Sequence, residues 1–334
     1  MGVTEAVTVC EDIWAQPDAH LALFYRDSGE YLSGILDFIS PALERDEPVA
    51  IAVPAPSLRL LRAELEDRAD AIELLDMFEL GRNPGRIIPA VLRMLERHEG
   101  KPLRYVGEPI WPGRSLEEIR EATRHEALIN LAWPDADIRV LCPYDAARLE
   151  DQVLIDAEHT HPGVVRDRRL EPSSSYGDGA VPDDCEQPLS APPPGALERP
   201  FETDDLGTLR TWVGQLASDS GLDADRAGEL VIAINELTTN TVKHADSHGV
   251  LRFWRAPGEL IFQVEDAGHI ADPLAGRRHQ ITGTGGLGLW MVNQLCDLVE
   301  VRTSVAGTSI RVHSSCAPAP ELGRHDAGHV GLAA

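Results

Sequence analysis

The chain has 334 residues, 43% of them hydrophobic and 25% charged, with 28 Gly and 24 Pro. That composition excludes collagen-like, wholly disordered and disulfide-scaffold classes, and at about 150 residues per domain the length predicts two domains. A formal net charge of −25 repels phosphate backbones and anionic lipid, so neither nucleic acid nor a membrane is an expected partner.

No apolar run approaches the roughly 18 residues of a membrane span, and Met1 opens onto polar residues rather than an apolar signal core. A cytoplasmic location is expected. The five cysteines (Cys10, Cys142, Cys185, Cys296, Cys316) form an odd set with no C-x-x-C spacing. They fit reduced thiols better than disulfides or a zinc site.

The first part alternates apolar runs at Leu21–Tyr25, Val49–Pro54, Ile72–Met77, Leu103–Glu108 and Ile138–Tyr144 with helix-length segments near 30–45, 57–69, 84–98 and 115–132. Such alternation predicts a mainly parallel sheet with helices on both faces. Ser115 and Glu118 form the S-x-x-E capping box that starts the last of these helices. Ligands bind beyond the carboxyl ends of strands in such sheets. A small-molecule pocket is therefore expected there, with Glu108, Trp111, His125 and Tyr144 as candidate residues. No G-x-x-x-x-G-K-[ST] occurs, so this part is not a P-loop enzyme by motif.

From Gly163 to Pro200 apolar periodicity disappears and prolines accumulate, which predicts a semi-rigid linker. Seventeen acidic and ten basic residues follow position 200, a net −7, which leaves −18 before it. The expected organisation is a first domain over 1–162, a linker over 163–200, a second domain over 201–316 and a frayed tail over 317–334.

Residues 206–220 read as an amphipathic helix, and the helix near 223–245 carries two stripes. At 100° per residue, Ala227, Leu230, Ile234, Leu237, Thr238 and Thr241 share one side, while Glu236, Asn240 and Lys243 stack on the other. Strand-like runs follow at Leu251–Arg255 and Leu260–Asp266, ending in Asp266-Ala267-Gly268. A carboxylate beside a glycine at a strand end can accept a hydrogen bond from a ring amine while the backbone approaches closely. Gly283-Thr284-Gly285-Gly286-Leu287-Gly288 then leads into a helix over 290–298, placing free backbone N–H groups where phosphate oxygens could bind. Strands near 299–303 and 309–313 flank Gly307-Thr308.

Two resemblances rest on these residues. His20 to Tyr25, Gly81-Arg82-Asn83-Pro84, Gly107-Glu108-Pro109-Ile110-Trp111-Pro112-Gly113-Arg114, His125-Glu126-Ala127-Leu128-Ile129-Asn130 and Cys142-Pro143-Tyr144-Asp145 resemble the MEDS domain, the methanogen and methylotroph sensory family. That resemblance implies a degenerate RecA- and KaiC-like α/β fold with a sensory role. The E-x-x-x-N helix, D-x-G strand end and glycine loop resemble the GHKL ATPases, an α/β sandwich. Within them, Glu236-Leu237-x-x-Asn240-x-x-x-His244-Ala245 looks most like the RsbW-type anti-sigma kinases.

The second resemblance implies ATP and Mg²⁺ as cofactors. Asn240 would hold Mg²⁺ and Glu236 would act as base, with Lys243 beside them. Asp266 and Gly268 would meet adenine, Gly285, Gly286 and Gly288 the phosphates, and Thr308 the base or its water. The family's second adenine-box glycine is replaced by Ile270, and a short lid over 272–283 carries Arg277 and Arg278, which could meet phosphates if not simply solvated. The implied function is an anti-sigma regulator that sequesters a sigma factor and phosphorylates a serine or threonine of a STAS anti-anti-sigma partner, with a homodimer as a further expected assembly. The alternatives are a sensor histidine kinase, with His125 in a phosphoacceptor-like segment, and a non-catalytic ATP-gated binding module. The short chain between that segment and the next strand argues against a dimerisation hairpin.

Overall fold

The structure, a computed structural model, describes residues 7–8, 20–245, 248–278 and 287–316. The first sheet contains β1 (Val7–Thr8), β2 (His20–Tyr25), β3 (Val49–Val53), β4 (Glu73–Asp76), β5 (Leu103–Gly107), β6 (Ile138–Asp145), β7 (Gly163–Arg166) and β8 (Arg169–Pro172) in the order β1-β8-β7-β2-β6-β5-β3-β4. Pairing is parallel from β7 through β4 and antiparallel at the β7–β8 and β8–β1 edge.

Continuous apolar runs are what a sheet covered on both faces requires. Period-two alternation divides each run between two cores. Ala22 and Phe24 of β2, Ala50 and Ala52 of β3, and Val140 and Cys142 of β6 face one core, which α4 (Ile87–Arg97), α5 (Leu116–Ala132) and α6 (Asp151–Thr160) help to build. Leu21, Leu23, Val49, Ile51 and Leu141 face the other, under α1 (Ser28–Glu44) and α2 (Ala55–Leu65). The short α3 (Met77–Leu80) follows β4. The capping box at α5 is formed as the sequence predicts, with Glu118 N donating to Ser115 Oγ (3.2 Å) and Ser115 N to Glu118 Oε2 (2.7 Å).

The second sheet is wholly antiparallel, ordered β12-β13-β11-β10-β9. Its strands are β9 (Leu197–Phe201), β10 (Gly249–Ala256), β11 (Glu259–Asp266), β12 (Leu298–Ser304) and β13 (Gly307–Ser315). Three helices contribute to the core on one face: α8 (Leu206–Asp219), α9 (Ala224–His244) and α10 (Leu287–Leu295). The predicted core stripe of α9 is buried there, with Leu230, Ile234 and Leu237 each 2% exposed or less. Each such side chain contributes about 1.5–3 kcal/mol of burial. The helix expected over 290–298 begins earlier and ends earlier than predicted, because β12 starts at Leu298.

The two ends of the segment expected to be a linker over 163–200 are recruited into the two sheets. Gly163–Arg166 and Arg169–Pro172 form the β7–β8 hairpin, and Leu197–Phe201 is the edge strand beside β10. Between them lies the single turn α7 (Asp183–Glu186). The proline-rich stretch after it lies on the outer face of the second sheet, where Arg302 Nε donates to Gln187 O (3.0 Å) and Arg311 Nη2 to Ser190 O (2.5 Å). Short strands of mixed charge and proline content have no alternation long enough to read from sequence. The expected tail over 317–334 lies outside the described residues.

Candidate functional site

The polar stripe of α9 faces a cavity of about 400 Å³, within the usual range for a small-molecule site. Glu236, Asn240 and Lys243 line it together with Asp266, Gly268, Gly288 and Thr308. Seven predicted residues from two strands, two helices and a loop are thus brought to one hollow. Gly285 and Gly286, also predicted for this site, lie outside the described residues.

Asp266 is fixed at the end of β11. Its Oδ2 accepts from Thr241 Oγ1 (2.6 Å) and its Oδ1 from Gly268 N (2.8 Å). The carboxylate is therefore aimed by two short bonds and keeps lone pairs for a ligand donor. Thr308 Oγ1 donates to Gly268 O (2.8 Å) and lies 2.9 Å from Thr303 Oγ1. It braces the glycine that shapes the wall. Thr241 was assigned to the core stripe from sequence, and its orienting role was missed. Helical spacing shows which face a residue occupies, whereas the bond to Asp266 depends on where β11 ends against α9.

Gly288, in the first turn of α10, stands against the polar stripe. A Cβ there would meet Glu236 Oε2 at 2.9 Å and Asn240 Nδ2 at 3.0 Å, so any larger residue would push those two polar groups aside. A carboxamide and a carboxylate beside a helix start, with a braced carboxylate in the same hollow, suit the metal, phosphate and amine groups of Mg²⁺–ATP. The residues present fit that ligand.

The lid arginines go elsewhere. Arg277 is buried, with its Nη1 donating to Pro84 O (3.4 Å) and its Nη2 3.7 Å from Glu121 Oε2. Arg278 Nη2 donates to Leu131 O (2.8 Å) and Ala132 O (2.9 Å). Both therefore grip the first domain, and Leu274 joins the first domain's core. Arg302 Nη1 reaches Glu121 Oε1 at 2.6 Å. A second contact links Asn83 Nδ2 and Arg86 Nε to Asn293 O (3.0 and 2.9 Å) and Arg82 Nη1 to Asp297 Oδ1 (2.9 Å).

The four residues expected to form a sensory pocket have different surroundings. Glu108 is buried beneath Tyr25 and Tyr31, whose hydroxyls donate to it at 3.0 and 3.1 Å. Burial pushes its carboxyl up to about 8 despite those bonds. Trp111 packs edge-on against Phe78 and under the Arg114 guanidinium. Tyr144 meets Phe24 and His161. His125 is 1% exposed, and burial pushes it down to about 3. That seclusion also removes it as a phosphoacceptor. Glu108, His125 and Tyr144 are buried and Trp111 is half-buried, because the parallel sheet is covered on both faces.

Against known proteins, residues 19–162 match the family model of the methanogen/methylotroph, DcmR sensory domain, MEDS, and residues 200–313 match that of the histidine kinase-like ATPase domain. The chain therefore joins a MEDS sensory domain to a GHKL-type ATPase domain. Among solved structures, the RsbU and RsbW domains of Rv1364c from Mycobacterium tuberculosis are 20% identical, over 37% of this chain and 32% of that one, with a TM-score of 0.28. The histidine kinase domain of the Erythrobacter litoralis EL346 blue-light activated histidine kinase is 15% identical, over 60% of this chain and 92% of that one, with a TM-score of 0.25. No curated protein matches the chain. Among the described residues, no helix is long and apolar enough to cross a membrane.

Proposed function

We propose that the second domain binds ATP with Mg²⁺ and acts as an anti-sigma protein kinase: it sequesters a sigma factor and phosphorylates a serine or threonine of a STAS partner, under control of the first domain. The observation that carries this reading is the convergence of Glu236, Asn240, Asp266, Gly288 and Thr308 on one cavity. The pattern Glu236-Leu237-x-x-Asn240-x-x-x-His244-Ala245 on α9, preceded directly by α8, supports the RsbW-type assignment.

Bound nucleotide would supply the phosphoryl group and, through Mg²⁺, neutralise its developing charge. Asn240 would hold the metal through its amide oxygen. Glu236 would accept the proton of the attacking hydroxyl, and Asp266 would accept from the adenine amine. Positioning and charge neutralisation are the main demands of phosphoryl transfer, and these residue types meet them without a covalent nucleophile.

Control by the first domain would run through the lid. Arg277 and Arg278 lie between the cavity and α5, and Glu121 of α5 faces both Arg277 and Arg302. A small-molecule ligand of the first domain would act by changing that grip.

The test uses the full chain with labelled ATP and purified sigma and STAS candidates. Asn240→Ala is expected to weaken ATP binding at least about 100-fold, roughly 2.7 kcal/mol. Glu236→Gln should keep ATP binding and slow transfer about 10²–10⁴-fold. ATP binding without transfer to any STAS partner would leave the second reading, a non-catalytic ATP-gated module. Replacement of the second adenine-box glycine by Ile270, whose N donates to Thr303 Oγ1 at 3.1 Å, favours that alternative.

A further inference from the structure

The first domain holds a polar cluster that the nucleotide site does not use. His20 opens β2, Cys142 lies on the neighbouring β6, Glu126 projects from α5 and His161 directly follows α6. His20 and Cys142 share a sheet face because β2 and β6 pair in parallel with Ala22 opposite Cys142, two residues from His20. All four side chains are buried, none more than 3% exposed.

Glu126 Oε2 lies 3.0 Å from His20 Nε2, 3.3 Å from Cys142 Sγ and 3.4 Å from His161 Nε2. Cys142 Sγ and His20 Nε2 are 3.5 Å apart, and all four donor atoms lie within 4.8 Å of one another. A tetrahedral Zn²⁺ with bonds of about 2.0–2.3 Å spaces its ligands about 3.3–3.7 Å apart.

The outer contacts fix which atoms point inward. Asn130 Nδ2 donates to Thr160 O (2.9 Å) and Ala127 O (3.2 Å), so its Oδ1 must be the atom 3.1 Å from His20 Nδ1, which then donates. His161 Nδ1 faces Ala157 O at 2.8 Å, an atom that can only accept. In neutral imidazoles both Nε2 atoms therefore carry lone pairs. They converge with a carboxylate oxygen, and within the cluster only the Cys142 thiol has a proton to share. Glu126 Oε1 and His161 Nε2 are buried without a hydrogen-bond partner. Three buried acceptors facing one donor is the arrangement that a cation completes, and ligand histidines held at Nδ1 by a carbonyl or amide are its usual second layer.

We propose that His20 Nε2, Glu126 Oε2, Cys142 Sγ and His161 Nε2 form a buried four-donor site for a divalent transition cation of the zinc class. Two nitrogens, a sulfur and one oxygen suit a borderline-soft ion and not Mg²⁺ or Ca²⁺, which prefer oxygen. Binding releases the thiol proton to solvent and leaves a thiolate on the metal. Four protein donors make the shell closed, as structural or sensing sites are.

The experiment strips the full-length protein with a chelator under reducing conditions and titrates it with Co²⁺, then Zn²⁺. One Co²⁺ per chain is expected, with a thiolate-to-cobalt charge-transfer band that Zn²⁺ abolishes, and a raised melting temperature. Cys142→Ala should lose the band, and Asn130→Ala should bind about 10–100-fold more weakly. Circular dichroism checks that each variant folds. If Cys142→Ala fails to fold, X-ray absorption of the wild-type Co²⁺ complex decides, and a shell without sulfur overturns the site. Wild-type protein that folds yet takes up no stoichiometric metal overturns it, as does a band that survives in Cys142→Ala.

Discussion

The two domains place their chemistry in opposite settings. In the second, Glu236 and Asn240 are half-buried on a helix face that borders a cavity of about 400 Å³. In the first, His20, Glu126, Cys142 and His161 are sealed inside the core. An exchangeable ligand needs the first setting, since it must enter and leave. A resident ion or a structural network suits the second, where low dielectric strengthens each contact and makes any unpaired group costly. The same difference appears among the histidines. His313 has Glu259 at 2.9 Å on Nδ1 and Glu300 at 3.0 Å on Nε2, so each ring nitrogen has its own carboxylate, whereas His20 and His161 share one.

Three perturbations sharpen that comparison. The largest effect is expected at the seam between the domains. Glu121 is 2% exposed and faces Arg302, Arg277 and Arg124. Glu121→Gln leaves the buried Arg277 and Arg302 guanidiniums without their counter-charge, which should cost about 3–5 kcal/mol. Calorimetry should then resolve two transitions, with one expected for the wild type. An unchanged single transition would mean the arginines do not hold the domains together.

Next in size is a pH effect confined to the second domain. Burial pushes His313 down, but its hydrogen bonds to the Glu259 and Glu300 carboxylates outweigh it and raise the imidazole from 6.5 to about 9. A group whose folded pKa is raised stabilises fully below the unfolded value and loses that contribution as pH climbs through the folded one. Stability should therefore fall between about pH 6.5 and 9, by up to roughly 3 kcal/mol, and denaturant melts of His313→Gln should lack this slope. A slope that persists in the variant would assign it to another group. Smallest is Gly288→Ala, which should weaken ATP binding about tenfold, or 1.4 kcal/mol, because the new Cβ crowds Glu236 and Asn240 at 2.9 and 3.0 Å. Calorimetric titration with ATP checks it, and wild-type affinity would show that α10 can retreat.

Much of the nucleotide cavity was legible because its key residues sit at helical spacing on one element. Glu236, Asn240 and Lys243 announce a polar stripe, and Asp266 announces itself by standing at the end of an apolar run. Thr241 was not legible as an orienting residue, since its partner is 25 positions away across a turn. The first domain reversed the pattern. Five of its strands and most of its helices followed from apolar runs, but Glu108, Trp111 and Tyr144, which stand near strand ends, have separate partners, and His125 is buried on α5. Glu126 sits beside His125 in the chain, but a helix turns neighbours about 100° apart, so only Glu126 reaches the cluster.

The amino-acid sequence by itself determined the two fold classes, most helices and most strands, because periodicity is a local property that each segment carries alone. It also determined which side chains share the stripe on α9. Only the tertiary structure decided that segment 163–200 supplies strands to both sheets, that the lid arginines grip the first domain, and that four donors from β2, α5, β6 and the residue after α6 meet at one point. Those outcomes depend on strand pairing and helix docking between segments as much as 141 residues apart, from His20 to His161, and no local spacing records them.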